Sequence, residues 1–110
     1  MINESNASIY LSIHLNYLPD YRYSGPQVFY NEDSKELASI IQEELNNYTR
    51  GERKIKKIPE NTYMYKKLEP KGVLIECGFL SNMQERKLLQ DDNYQKDLAK
   101  AIALGVWKYF

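Results

Sequence analysis

At 110 residues the chain has room for one small domain with one core, and its 43% hydrophobic content is that of a globular protein rather than a disordered one. Lysine plus arginine and aspartate plus glutamate both number 15, so no net charge draws the chain toward nucleic acid or an anionic membrane. The single cysteine, Cys77, excludes an internal disulfide framework, and no apolar run approaches the ~20 residues that cross a bilayer. Met1 to Asn6 have neither the basic n-region nor the apolar h-region of a signal peptide, which by itself predicts a cytoplasmic chain.

In chain order, Ile9, Leu11 and Ile13 alternate with Tyr10, Ser12 and His14, predicting a strand over 8–14. Pro19-Asp20 and Ser24-Gly25-Pro26 punctuate a loop, and a short strand follows at Gln27–Tyr30. Ser34 is placed to cap a helix reaching about Tyr48, with Leu37, Ile40, Ile41 and Leu45 as its apolar stripe. The basic segment from Arg50 to Lys57 reads as a loop, and Tyr63-Met64-Tyr65 as a short edge strand. Residues 72–77, Gly-Val-Leu-Ile-Glu-Cys, lie between Pro70 and Gly78 and have the composition of a strand buried on both faces. Asn82, with Glu85 three residues on, forms a capping box for a short helix. A last helix spans about 92–109, with Leu98, Ala101, Ile102, Gly105, Val106 and Tyr109 on a face expected to be core. Strands alternating with amphipathic helices make this α/β, a three-layer-like sheet flanked by helices in one domain, 1–110.

Chemistry concentrates at two strand ends. His14 and Glu76 lie at or near the carboxyl ends of strands that could be neighbours, where α/β sheets bind ligands. Imidazole is a common zinc ligand, and a carboxylate beside a zinc-bound water serves as general base. One histidine and one glutamate do not make a zinc site, and a lone strand histidine is more often structural. Glu76 is harder to dismiss, because an ionised carboxylate inside an apolar strand is costly unless something compensates it. Cys77 follows it and so points to the opposite face, as a small buried residue rather than a nucleophile.

These residues carry a family resemblance. Asn6-Ala7-Ser8-Ile9-Tyr10-Leu11-Ser12-Ile13-His14-Leu15-Asn16 resembles the "NADIFISIHAN" segment of zinc-dependent N-acetylmuramoyl-L-alanine amidases. Ser24-Gly25-Pro26-Gln27-Val28-Phe29-Tyr30 is similar to the strand "G-x-E-x-Y-Y", with Gln27 standing where many members have Glu. The helix from Ser34 to Leu45 resembles "S-x-x-L-A-x-x-I-Q-x-x-L", and Arg53-Lys54-Ile55-Lys56 resembles "R-x-x-K". Val73 to Asn82 is very similar to "VLVExGFLSN", and Tyr94 to Phe110 to "YQxxLAxAIxxGIxxYF". Leu15 and Cys77 bring the chain nearest to the spore-cortex, germination-associated branch.

The resemblance implies a zinc amidase fold and one catalytic zinc held by two histidines and a glutamate. His14 matches the last of these ligands and Glu76 the catalytic carboxylate; no substrate-binding residue is assigned. The implied reaction is hydrolysis of the amide between N-acetylmuramic acid and L-alanine of the peptidoglycan stem peptide, at the cell envelope or spore cortex. The family's first two ligands, its first two strands and its first helix have no counterpart in this sequence, which reads as the C-terminal portion of the catalytic domain. Two functions follow: a peptidoglycan amidase, needing an N-terminal half as partner, or a catalytically inactive remnant with one of three zinc ligands. The basic loop from Arg50 to Lys57 is a solvated face or a contact for peptidoglycan carboxylates. Tyr17, Tyr21 and Tyr23 either stack on glycan or have no role, and Asn16 either binds substrate or holds the backbone.

Overall fold

A computed structural model of the chain describes residues 9–16, 25–58, 72–79 and 82–110. Its elements are β1 (Tyr10–Asn16), β2 (Gln27–Tyr30), α1 (Lys35–Thr49), β3 (Lys56–Lys57), β4 (Gly72–Phe79), α2 (Met83–Leu89) and α3 (Asp92–Tyr109). The sheet runs β1-β4-β2-β3, with β1 parallel to β4, β4 antiparallel to β2, and β2 parallel to β3. The apolar run thus becomes an inner strand, which explains why Val73 and Ile75 are fully buried and Leu74, on the other face, nearly so.

One face of the sheet meets α1 and α3. Val28, Val73, Ile75 and Cys77 from the strands close on Leu37, Ala38, Ile41 and Leu45 of α1 and on Leu98, Ala101 and Ile102 of α3. Each large aliphatic side chain removed from water in this way contributes about 1.5–3 kcal/mol before the entropy of ordering is set against it. Gly105 lets the two helices touch: a Cβ there would lie 2.9 Å from the Ile41 Cα. Ile40, expected on the stripe of α1, is only half-buried, and Ala38 takes the position against the core.

Three local expectations change. The first strand is Tyr10–Asn16 rather than 8–14, and the Tyr63-Met64-Tyr65 segment lies outside the described residues. Within the basic segment, Lys56 and Lys57 form β3 against Phe29 and Tyr30, and the Ile58 N–H donates to the Tyr30 carbonyl at 2.9 Å. The backbone groups on the outer side of β2 need partners, and burial of Ile58 draws the basic segment in to supply them. Ser34 precedes α1 but does not cap it through its side chain. Its hydroxyl instead accepts from the Asn31 N–H and donates to Asn31 Oδ1, both at 3.0 Å, closing the turn that leads into the helix. Asn82 behaves as expected, accepting from the Glu85 N–H at 3.1 Å, and α3 matches its predicted span. No helix among the described residues is long and apolar enough to cross a membrane.

Candidate functional site

Strand pairing brings three polar residues from separate parts of the chain into one row. His14 of β1 is the register partner of Glu76 of β4, and Glu76 is in turn the partner of Gln27 of β2. Directly opposed residues share a sheet face, so all three stand on the face away from the helical core. Immediately after His14 the register shifts, so that Asn16 pairs with Phe79. Such an irregularity ends regular pairing where the strand ends present their polar groups.

Glu76 is the most unusual group in the row. Its Oε1 is buried and has no hydrogen-bond partner among the described residues. Burial raises its pKa above the ordinary carboxylate value, and the nearby His14 imidazole opposes that only in part. His14 is exposed, and its Nε2 lies 2.7 Å from the Ser12 hydroxyl two residues earlier on the same face, a hydrogen bond that orients the ring. Gln27 is nearly fully buried; its amide donates to the Lys54 carbonyl at 2.7 Å and its Oε1 accepts from the Arg53 guanidinium. Part of the basic segment therefore turns inward and braces the third member of the row.

The end of β4 is held from below by α2. Glu85, 5% exposed, accepts from the Gly25 N–H at 2.8 Å, tying the entry to β2 to the helix that follows β4. Gly78 makes room for this, since a Cβ there would fall 2.9 Å from both Glu85 Oε1 and Leu89 Cδ1. Cys77 faces the core as expected; burial first, and Glu76 second, push its thiol up to about 11.

This arrangement sits within a known architecture. The Amidase_3 family, N-acetylmuramoyl-L-alanine amidase, matches residues 1–108. The chain belongs to this family. It is 40% identical to the germination-specific N-acetylmuramoyl-L-alanine amidase of Bacillus subtilis, a match covering 100% of this chain and 48% of that protein. Among solved structures, it is similar to the CwlD amidase of Clostridioides difficile in complex with the GerS lipoprotein, with 45% identity and a TM-score of 0.82 over 96% of this chain and 55% of that one. The catalytic domain of the amidase CwlV from Bacillus (Paenibacillus) polymyxa var. colistinus superposes with a TM-score of 0.81 at 28% identity, over 94% of this chain and 57% of that one. The chain spans about half the length of the relatives it matches.

Membership raises the question of a metal, and the donor set answers it. A catalytic zinc takes three protein ligands and an open position. Among the described residues no group of three His, Cys, Asp or Glu side chains could hold an ion, and His14 is the sole histidine of the chain. The Glu76 oxygen without a partner among the described residues is free to accept a hydrogen bond; it does not close a coordination set. The described residues supply one carboxylate and one imidazole in register, and that falls short of a zinc site.

Gln27, Arg53 and Glu85 had no assigned place in the site from sequence. Gln27 did carry a signal, as the residue standing where many amidases have Glu. The row itself depends on β2 pairing with β4, which no local pattern encodes.

Proposed function

We propose that this chain is the C-terminal portion, residues 1–110, of a peptidoglycan amidase domain in which Glu76 is the general base and His14 a zinc ligand. The observation that carries the reading is the buried, unpartnered Glu76 Oε1 in register with His14. A carboxylate whose pKa is raised by burial is a stronger base than an ordinary glutamate. Placed beside the carbonyl of the N-acetylmuramoyl-L-alanine amide, Glu76 takes a proton from the attacking water and passes it to the departing L-alanine nitrogen. Ser12 holds the His14 ring, while Gln27, braced by Arg53 and the Lys54 carbonyl, borders the base on its other side. One zinc ion is the cofactor expected of the complete domain, and the remaining ligands must come from outside the described residues. The setting that fits the relatives is the cell wall or spore cortex.

A second reading, a non-catalytic half-domain, is favoured by the single imidazole among the described residues. A fusion separates the two. The part of the Clostridioides difficile amidase that this chain does not match is joined to the 110-residue chain, and muropeptides are analysed by mass spectrometry. Release of free stem peptide by the fusion, lost in its Glu76→Gln form, supports the amidase. A fusion that folds and binds zinc yet releases nothing supports the non-catalytic reading.

A further inference from the structure

We propose that a polar groove between α1 and the segment leading into β3 binds the amino end of a short acidic peptide, a ligand that carries an ammonium and a carboxylate together. The groove has a volume of about 500 Å³. Ser39, Glu43 and Asn47 line one wall, because residues four apart fall on one face of a helix. Lys54 stands on the other, and half-buried Ile55 adds an apolar patch. The Ser39, Glu43, Asn47 and Lys54 side chains are exposed, and among the described residues none has a hydrogen-bond or ion-pair partner. Lys108 of α3 lies near Glu43 but is held by Glu44 at 2.6 Å. The floor differs in being fully committed. Gln42 is bonded to the Val28 N–H and the Pro26 carbonyl, and the Asn46 amide donates to the Arg53 carbonyl at 3.0 Å. A rigid floor beneath uncommitted polar ends is preorganised for a ligand's polar groups.

The ligand class follows from the charges. The lining holds one anion, Glu43, and one cation, Lys54, together with a hydroxyl and a carboxamide. Glu43 repels a polyanion and Lys54 a polycation, and a neutral sugar leaves both charges unused; a ligand bearing both signs satisfies both. Ser39 and Asn47 each donate and accept, which suits a peptide unit. The proposed amidase reaction supplies such a ligand. Hydrolysis breaks the C–N bond, leaves a carboxylate on the sugar's lactyl group and turns the acylated L-alanine nitrogen into a free ammonium on a peptide that keeps its own carboxylates. Naming the ligand as the released stem peptide rests on that reading; the pairing with Glu43 and Lys54 rests on the groove. The groove is also joined to the row of His14, Glu76 and Gln27. The Arg53 carbonyl accepts from Asn46, and the next carbonyl, that of Lys54, accepts from the Gln27 amide at 2.7 Å. A ligand seated on Lys54 is therefore felt at Gln27.

The test titrates the dipeptide L-alanyl-γ-D-glutamate into the isotopically labelled 110-residue chain, or into its fusion with the Clostridioides difficile segment if the chain alone does not fold. Saturable binding with a Kd of about 1 mM is expected, with the side-chain amide resonances of Asn47 and Gln27 shifting together. The N-acetylated dipeptide, and the dipeptide with its carboxylates amidated, should each bind about 3- to 5-fold more weakly, the scale of an exposed ion pair. Two substitutions assign the ends. Glu43→Gln should abolish the penalty for acetylation, and Lys54→Gln the penalty for amidation. Both alter exposed side-chain ends and leave the Lys54 carbonyl in place. Absence of saturable binding by the folded protein overturns the proposal. So does binding indifferent to both substitutions, or equal binding of the acetylated dipeptide. A fusion that binds the dipeptide yet releases no stem peptide leaves the groove standing and removes the amidase reading. An active fusion that does not bind the dipeptide does the reverse.

Discussion

His14 and Glu76 are register partners on the adjacent parallel strands β1 and β4, and both face away from the helical core. Neighbouring strands lie about 4.8 Å apart, so the imidazole and the carboxylate are set at a fixed short separation by backbone hydrogen bonds rather than by flexible loops. Glu76 is anchored there because the flanking Ile75 and Cys77 are locked into the opposite face. A slip of β1 by one residue would turn His14 into the core and end the arrangement.

Replacing Glu76 with Gln tests both halves of this picture. In the completed domain, muropeptide turnover falls by about 10²–10⁴-fold, the usual share of a general base. Stability moves the other way. The folded-state pKa of Glu76 lies above 4.5, so the fold prefers the protonated acid, and stability present below pH 4.5 is lost as pH rises through the folded pKa. Thermal melts should show the wild type losing more stability than Glu76→Gln between mildly acidic and neutral pH.

Gln42→Leu should destabilise the chain although it makes α1 more apolar. The buried amide accepts from the Val28 N–H at 2.8 Å and donates to the Pro26 carbonyl at 3.1 Å, holding β2 to the helix. Leucine leaves both backbone groups buried without partners, a loss of about 2–4 kcal/mol in urea unfolding.

Gly105→Ala sets helix propensity against packing. Alanine favours a helix interior by about 1 kcal/mol. Its Cβ, however, meets Ile41 Cα and Cγ1 at 2.9 Å, and the backbone of α1 cannot swing aside as a side-chain tip could. Overpacking costs about 1–3 kcal/mol, and a net loss of about 1–2 kcal/mol is expected by denaturant titration.

Cys77 should resist alkylation in the folded chain. Its thiol is buried and raised from 9.0 to about 11, which lowers the thiolate population near pH 8 by roughly 100-fold. Because the folded pKa is the higher one, Cys77 supports the fold fully below pH 9 and loses that contribution as pH rises through about 11; Tyr94, pushed up to about 12 chiefly by burial, extends the loss to higher pH. Iodoacetamide labelling in native buffer against urea, together with melts at rising alkaline pH, checks both statements.

Much of the fold is written locally. The period of about 3.6 across Leu98, Ala101, Ile102 and Gly105, and the Asp91 side chain accepting from the Tyr94 N–H, place α3 without reference to anything else. The alternation in β1 and the apolar run in β4 similarly identify both strands and draw attention to His14 and Glu76. Ser34 shows the limit of such reading. A residue type suited to a cap was correctly placed before α1, yet the nearby Asn31 took its hydroxyl.

The sequence by itself determined the α/β class, the helix and strand identities and the prominence of His14 and Glu76, because each depends on residues close together in the chain. Tertiary structure decided that Gln27 completes their row, that two lysines become a strand, that Glu85 and Gln42 are bound inward, and that α1 and Lys54 border a polar groove. These depend on which strand pairs with which and on where burial strands a backbone group without a partner. Such demands arise between distant segments only once the core has closed.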